Sequence, residues 1–229
     1  MTTIANEIEL NSEGVSSTTP DFNRLARVYR WMEWLTFGPF LQRCRCAFLS
    51  RLGQRRNALV LGDGDGRFTA CLMRSNIGVE VDAVDASEVM LHQLASRTPA
   101  HRVRVDIGDA RTFHPRRRDY DLIATHFFLD CFTDPEIENL ACRLRHHVSP
   151  GVVWVISEFA IPSNFFGLAI AQPLISALYL AFGLLTNLRI RHLPNHRAAL
   201  ARSGWFLAHQ EGSLAGLLVS EMWQLDQNR

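Results

Sequence analysis

No CxxC pair occurs among the five cysteines, Cys44, Cys46, Cys71, Cys131 and Cys142, and their number is odd. Neither a disulfide framework nor a zinc knuckle is indicated, and reduced thiols in a cytosolic protein fit better. An excess of charge is missing as well. Lys plus Arg total 24 against 23 Asp plus Glu, so the formal net charge is +1. That balance supplies no basic stripe, and nucleic acid is not expected as a partner. The nine histidines show no metal-ligand spacing, and adjacent His146 and His147 should face different sides of a helix, so no metal site is expected. Repeats and low-complexity tracts are absent. The first twenty residues, MTTIANEIELNSEGVSSTTP, are polar with acids rather than basic then apolar, and read as a flexible tail of a cytoplasmic protein. Charge is lacking altogether from Phe159 to Leu188.

What is present alternates. ALVLG (58–62) is a short apolar run bounded by glycine, which suits a buried strand. RFTACLMRS (67–75) suits a helix, VEVDAVD (79–85) a strand ending on an acid, and SEVMLHQLASR (87–97) a helix capped by Ser87. HRVRVDIGDA (101–110) leads a strand into a Gly-Asp turn, and YDLIATHFF (120–128) is a further apolar strand. DPEIENLACRLRHHV (134–148) opens with Asp-Pro, a helix start, before a fifth strand in GVVWVISEF (151–159). Such alternation predicts a doubly wound parallel sheet whose ligands sit beyond the carboxyl ends of its strands. The runs within 204–225, parted by a short turn at Gly212-Ser213, predict a closing antiparallel hairpin. Upstream, residues 21–52 have helical spacing broken near Gly38-Pro39, which predicts two helices.

The stretch NALVLGDGDGRFTACL (57–72) places glycines where a strand gives way to a helix. Glycine allows a sharp turn and close approach of a ligand, and the helix start offers unpaired N–H groups to it. Alone this pattern also fits a tight turn with no ligand. Two acids at later strand ends add to it. Asp85 could accept both hydroxyls of a ribose, and Asp109, after Gly108, could meet an adenine amino group. Either acid alone would more often be a helix cap or turn former.

Taken together, LVLGDGDGRF, VDAVDAS, IGDA, YDLIATHFFLDCF and VSPGVVWVISEF resemble the class I S-adenosylmethionine-dependent methyltransferases over about Asn57–Phe159. The resemblance implies a Rossmann-like α/β fold: a doubly wound seven-stranded sheet with a C-terminal antiparallel hairpin. It also implies S-adenosylmethionine as cofactor, bound by Gly62, Asp63, Gly64, Asp65, Gly66, Asp85, Ala86, Asp109, Ala110 and Thr125. Two departures stand out: Gly62 occupies a place where the family has an acid, and Phe68 one where a third glycine is common. Gly64 and Gly66 are then expected to make the close approach, and Asp63 and Asp65 both remain candidates for the methionine amino group. A nicotinamide enzyme would need glycine at Arg67 or Thr69, which the chain lacks.

Methyl transfer from a sulfonium mainly requires a positioned nucleophile and exclusion of water, with a base only for an acceptor proton of high pKa. His126, after the fourth strand, is the candidate base or acceptor-orienting group, against a packed histidine as the bland reading; Asp130 is a second candidate. FNRLARVYRWMEWLTFG is similar to the opening of the quinone C-methyltransferases, in which Phe22 and Tyr29 would flank the cofactor. The expected organisation is a tail (1–20) and one domain (21–229): helical lid (21–56), cofactor-binding core (57–159), hydrophobic helical cap (160–203) inserted after strand 5, and terminal hairpin (204–229). Pro162 and Pro173 break the uncharged stretch, so a cap over the site, with peripheral membrane contact through 160–188 as a variant, is expected rather than a span. A roof of Phe165, Phe166, Leu168, Leu178, Tyr179 and Phe182 implies a small lipophilic acceptor, phenol-, quinone- or lipid-like. A catalytically silent protein that binds the methyl donor, or serves as a scaffold, is the alternative from another functional class, and a nicotinamide-dependent oxidoreductase stands behind it. Oligomeric state is not legible.

Overall fold

In the computed structural model, residues 39–160 and 194–226 are described. Tyr29 and Phe22, the lid before residue 39, the cap residues 161–193 and the terminal residues 227–229 lie outside them.

Seven strands form one sheet in the order β3-β2-β1-β4-β5-β7-β6. They are β1 (Asn57–Leu61), β2 (Glu80–Asp85), β3 (Val103–Ile107), β4 (Tyr120–His126), β5 (Val148–Phe159), β6 (Trp205–Ser213) and β7 (Leu218–Leu225). β1 to β5 pair in parallel, whereas β7 enters antiparallel between β5 and β6. Strand order therefore reverses between β1 and β4, which leaves a crevice at their carboxyl ends.

The apolar runs explain the burial. Ala58, Leu59, Val60 and Leu61 are all buried, as a strand covered on both faces requires. Each such Leu or Val contributes roughly 1.5–3 kcal/mol by leaving water. Even-numbered Ala58 and Val60 pack with Phe68, Leu72 and Leu94, from α2 (Arg67–Ser75) and α3 (Glu88–Arg97). Odd-numbered Leu59 and Leu61 share the opposite cluster with Ile137, Leu140 and Leu200, from α4 (Asp134–Leu144) and α5 (His196–Arg202). A further helix, α1 (Pro39–Arg45), lies at the break predicted from Gly38-Pro39.

Local signals act as their chemistry demands. Ser87 Oγ accepts the N–H of Met90 and caps α3. Thr133 and Glu136 form a capping box at α4, with Pro135 in the first turn. The hairpin differs from expectation in one place. Gly212 and Ser213 belong to β6, paired with Val219 and Leu218, and the turn falls at Leu214–Gly216. Leu214 and Ala215 take positive φ there (50° and 55°), although neither residue type favours it. No helix among the described residues is long and apolar enough to cross a membrane.

Candidate active site

Beyond Leu61 the chain turns at three glycines, Gly62, Gly64 and Gly66, all left-handed, with φ of 65°, 59° and 80°. Their surroundings differ. A Cβ on Gly62 would lie 2.0 Å from the Phe128 ring, and one on Gly66 would lie 2.7 Å from the Leu94 Cα. On Gly64 the nearest atom would be Met90 Sδ at 3.8 Å. Gly66, expected beside Gly64 as a close-approach glycine, thus uses its missing Cβ to seat α3. Gly64 keeps the open flank.

The two acids between these glycines are held by the protein itself. Asp63 is buried and accepts from the N–H groups of Phe68 (3.2 Å) and Thr69 (2.8 Å) and from Thr69 Oγ1 (2.7 Å). It caps α2, satisfying donors that a helix start leaves open. Burial pushes its carboxyl up to about 6 against those bonds and the nearby Arg45. Asp65 is paired with Arg67 at 3.2 Å and Arg97 at 3.0 Å. Both candidates for the methionine amino group are therefore already engaged.

Asp85 ends β2 beside Gly64. Its Oδ1 accepts from Ser87 N at 2.9 Å and its Oδ2 from Gly64 N at 3.3 Å. Burial raises its carboxyl above the usual range, opposed by the N–H groups of Ser87, Gly64 and Ala86. Each oxygen keeps a further lone pair, which suits a ribose diol. Ala86 beside it is exposed. At the end of β3, Gly108 N donates to Asp85 O at 3.0 Å, so the acids after two strands are fixed relative to each other. The Asp109 side chain is 39% exposed and meets Arg111 at 3.3 Å. Arg111 is anchored in turn by Glu136 (2.8 Å) and Cys131 O (2.8 Å) and stacks on Phe132. Ala110 is buried and its carbonyl accepts from Arg143.

The end of β4 separates its residues by face. Thr125 points into the core, where its Oγ1 accepts from Trp154 Nε1 at 2.9 Å. His126 faces the other way, 4% exposed, its ring centroid 4.3 Å from that of Phe68. Its Nδ1 lies 2.9 Å from Ser157 Oγ, and Ser157 Oγ donates its single proton to Cys44 O at 3.1 Å. Hence Nδ1 carries the proton and donates. Nε2 is left as a bare, buried lone pair with no hydrogen-bond partner among the described residues. Burial, then Arg45, holds the ring well below the usual histidine value, so it is neutral at physiological pH. Phe127 follows at positive φ (53°), a strained conformation for an aromatic residue, and Arg45 lies 5.1 Å from its ring centroid.

Sequence reasoning passed over Glu158 at the end of β5. One carboxylate oxygen accepts from the N–H groups of Phe128 (3.2 Å) and Leu129 (2.9 Å), pinning the loop after β4. The other oxygen is buried with no hydrogen-bond partner among the described residues. Burial, with the Asp130 charge next in effect, raises this carboxyl well above the ordinary glutamate value. An acid closing an apolar strand was the signal, the one that picked out Asp85. Asp130 is half-buried near this carboxyl rather than beside His126. Among the described residues no group of three His, Cys, Asp or Glu could hold a metal ion.

Comparison with known proteins agrees with this layout. A family model described as a methyltransferase domain matches residues 58–151. No curated protein matches the sequence. Among solved structures, the mitomycin 7-O-methyltransferase MmcR aligns with TM-score 0.68 and 13% identity over 90% of this chain and 60% of its own. CalO1, a methyltransferase of calicheamicin biosynthesis solved with S-adenosylhomocysteine bound, aligns with TM-score 0.64 and 16% identity over 90% and 59%. The riboflavin-analogue dimethyltransferase RosA from Streptomyces davawensis gives TM-score 0.61 and 19% identity over 90% and 62%. The chain thus spans about three fifths of the length of these structures, with 60%, 59% and 62% covered. Residues 58–151 match the methyltransferase-domain model, and the chain shares the fold of these methyltransferase structures.

Proposed function

We propose that this chain transfers a methyl group from S-adenosylmethionine to a small, lipophilic acceptor. One observation carries the reading: Gly64, open on its flank, is held by Asp85 at the carboxyl end of β2 next to the β1/β4 crevice. A dinucleotide-type or sulfonium nucleoside fits there with its ribose on Asp85 and its adenine toward Asp109 and Ala110. Bound in that cradle, the donor supplies a methyl on a cationic sulfur. The chain's own part is to place the acceptor, keep water away and take a proton where the acceptor has one to lose.

Two groups are suited to the proton. Neutral His126 offers its Nε2, and Glu158 offers its second oxygen from the other face of the sheet, both without a partner among the described residues. We assign the base to His126, whose tautomer Ser157 fixes. The acceptor class rests on the uncharged Phe159–Leu188 segment, which has no counter-charge for an ionic substrate. MmcR is named for an O-methylation and RosA for an N,N-dimethylation, so this fold by itself leaves the methylated atom open.

Calorimetry with S-adenosylmethionine and S-adenosylhomocysteine, then a methyl-transfer screen on lipophilic phenols and quinones, tests the reading. Micromolar binding with turnover of an apolar acceptor supports it. Binding without turnover favours a silent donor-binding protein, and turnover of charged acceptors alone, with no flotation on liposomes, removes the lipophilic assignment.

A further inference from the structure

We propose that Cys46 and Cys71 are a peroxide-oxidisable thiol pair, a disulfide site that ties the turn after α1 to α2. The proposal is independent of donor binding. Gln42 Nε2 donates to both sulfurs, at 3.3 Å to Cys46 and 3.4 Å to Cys71, so one amide holds them side by side. Neither is sealed in the core: both are half-buried, unlike Cys44.

The two sulfurs have different surroundings. Arg74 Nη2 lies 3.0 Å from Cys71, so a guanidinium and an amide both donate to that sulfur and would hold the charge of a thiolate. Cys46 has the amide alone of these two donors, and burial with the adjacent Cys71 pushes its thiol up to about 11. Cys71 is therefore the attacking sulfur and Cys46 the resolving one. In the first step the Cys71 thiolate attacks hydrogen peroxide. The O–O bond breaks, giving Cys71 sulfenic acid and hydroxide, which takes a proton to become water. Cys46 sulfur then attacks the sulfenic sulfur. Its proton and the departing hydroxyl leave as a second water, and the disulfide forms. Two thiols lose two electrons, and one peroxide is reduced to two waters.

The bond would close immediately after Arg45, which precedes Cys46 in sequence and lies 5.1 Å from the Phe127 ring centroid. Oxidation at this pair would thus fix the segment that bears on the residues after β4.

The test is peptide mapping of the full, folded chain. Reduced protein is treated with one equivalent of hydrogen peroxide, alkylated, and digested without reductant. The expected product is a Cys46–Cys71 linked peptide, lighter than its two thiol peptides by two hydrogen atoms. Cys46→Ser should leave a sulfenic acid on Cys71 that dimedone traps, whereas Cys71→Ser should leave Cys46 fully alkylated. Full alkylation of both in treated wild type, a link to a different cysteine, or over-oxidation of Cys71 without a link would overturn the proposal.

Discussion

The Oδ2 of Asp85 accepts the backbone N–H of Gly64 at 3.3 Å, so the acid ending β2 and the loop leaving β1 hold each other in place. Twenty-one residues separate them in sequence. The parallel pairing of β1 with β2, continued by Gly62 N to Val84 O at 2.9 Å, brings them together. A cradle made this way ties ligand affinity to backbone geometry.

The three glycines separate packing from binding. Gly66→Ala puts a Cβ 2.7 Å from backbone at Leu94 and should destabilise strongly, since core overpacking costs about 1–3 kcal/mol before the left-handed strain is added. Gly64→Ala meets no protein atom within 3.4 Å and carries only the backbone strain, on the order of 1 kcal/mol. Thermal melts with donor titration should show Gly66→Ala unfolding early and Gly64→Ala folded but weak in donor binding. A Gly64→Ala variant with unchanged affinity would remove this flank from the site.

Asp63 makes a pH prediction. Its carboxyl is raised from 3.8 to about 6, so between those values the native chain holds a proton that the unfolded chain has released. Stability from this group is full below 3.8 and falls as pH rises through about 6. At 1.36 kcal/mol per unit the loss is on the order of 3 kcal/mol. Denaturant unfolding of wild type and Asp63→Asn should show the variant gaining relative stability from about pH 4 to about pH 7. Parallel pH curves would contradict a carboxyl that burial holds above its ordinary range.

His126 has the opposite sign. Its pKa is depressed below 6.5, so its contribution to stability is present above 6.5 and lost as pH falls through the native value. As a base, His126→Asn should lower turnover by about 10²-fold or more while donor affinity stays. If the melting temperature falls instead and the rate per folded molecule holds, the residue only packs.

Thr125 was expected at the cofactor, yet its hydroxyl serves Trp154. Thr125→Val strands a buried indole N–H and should cost about 1–3 kcal/mol. Donor affinity should hardly move, and calorimetry showing a large loss would return Thr125 to the cofactor site.

Much of this was legible because the signals are local. Alternating apolar runs give the parallel strands, Ser87 its cap, and Asp-Pro the start of α4. What escaped was set by pairing at long range. Nothing in GDGDG shows that Gly66 faces Leu94 or that Arg97 reaches Asp65. The β6–β7 turn was misplaced because glycine usually marks positive φ, and here Leu214 and Ala215 adopt it. Glu158 was missed since its partners are backbone groups thirty residues earlier, beyond the end of another strand.

The most direct measurement is titration of S-adenosylhomocysteine into folded wild type and Asp85→Ala by calorimetry. Bonds to a charged group are worth about 1.5–3 kcal/mol each, so wild type should bind at a single site and the variant about ten-fold or more weaker, with its melting curve little changed. Absence of binding to folded wild type, or equal affinities for the two proteins, would contradict the assignment of this cradle to the methyl donor.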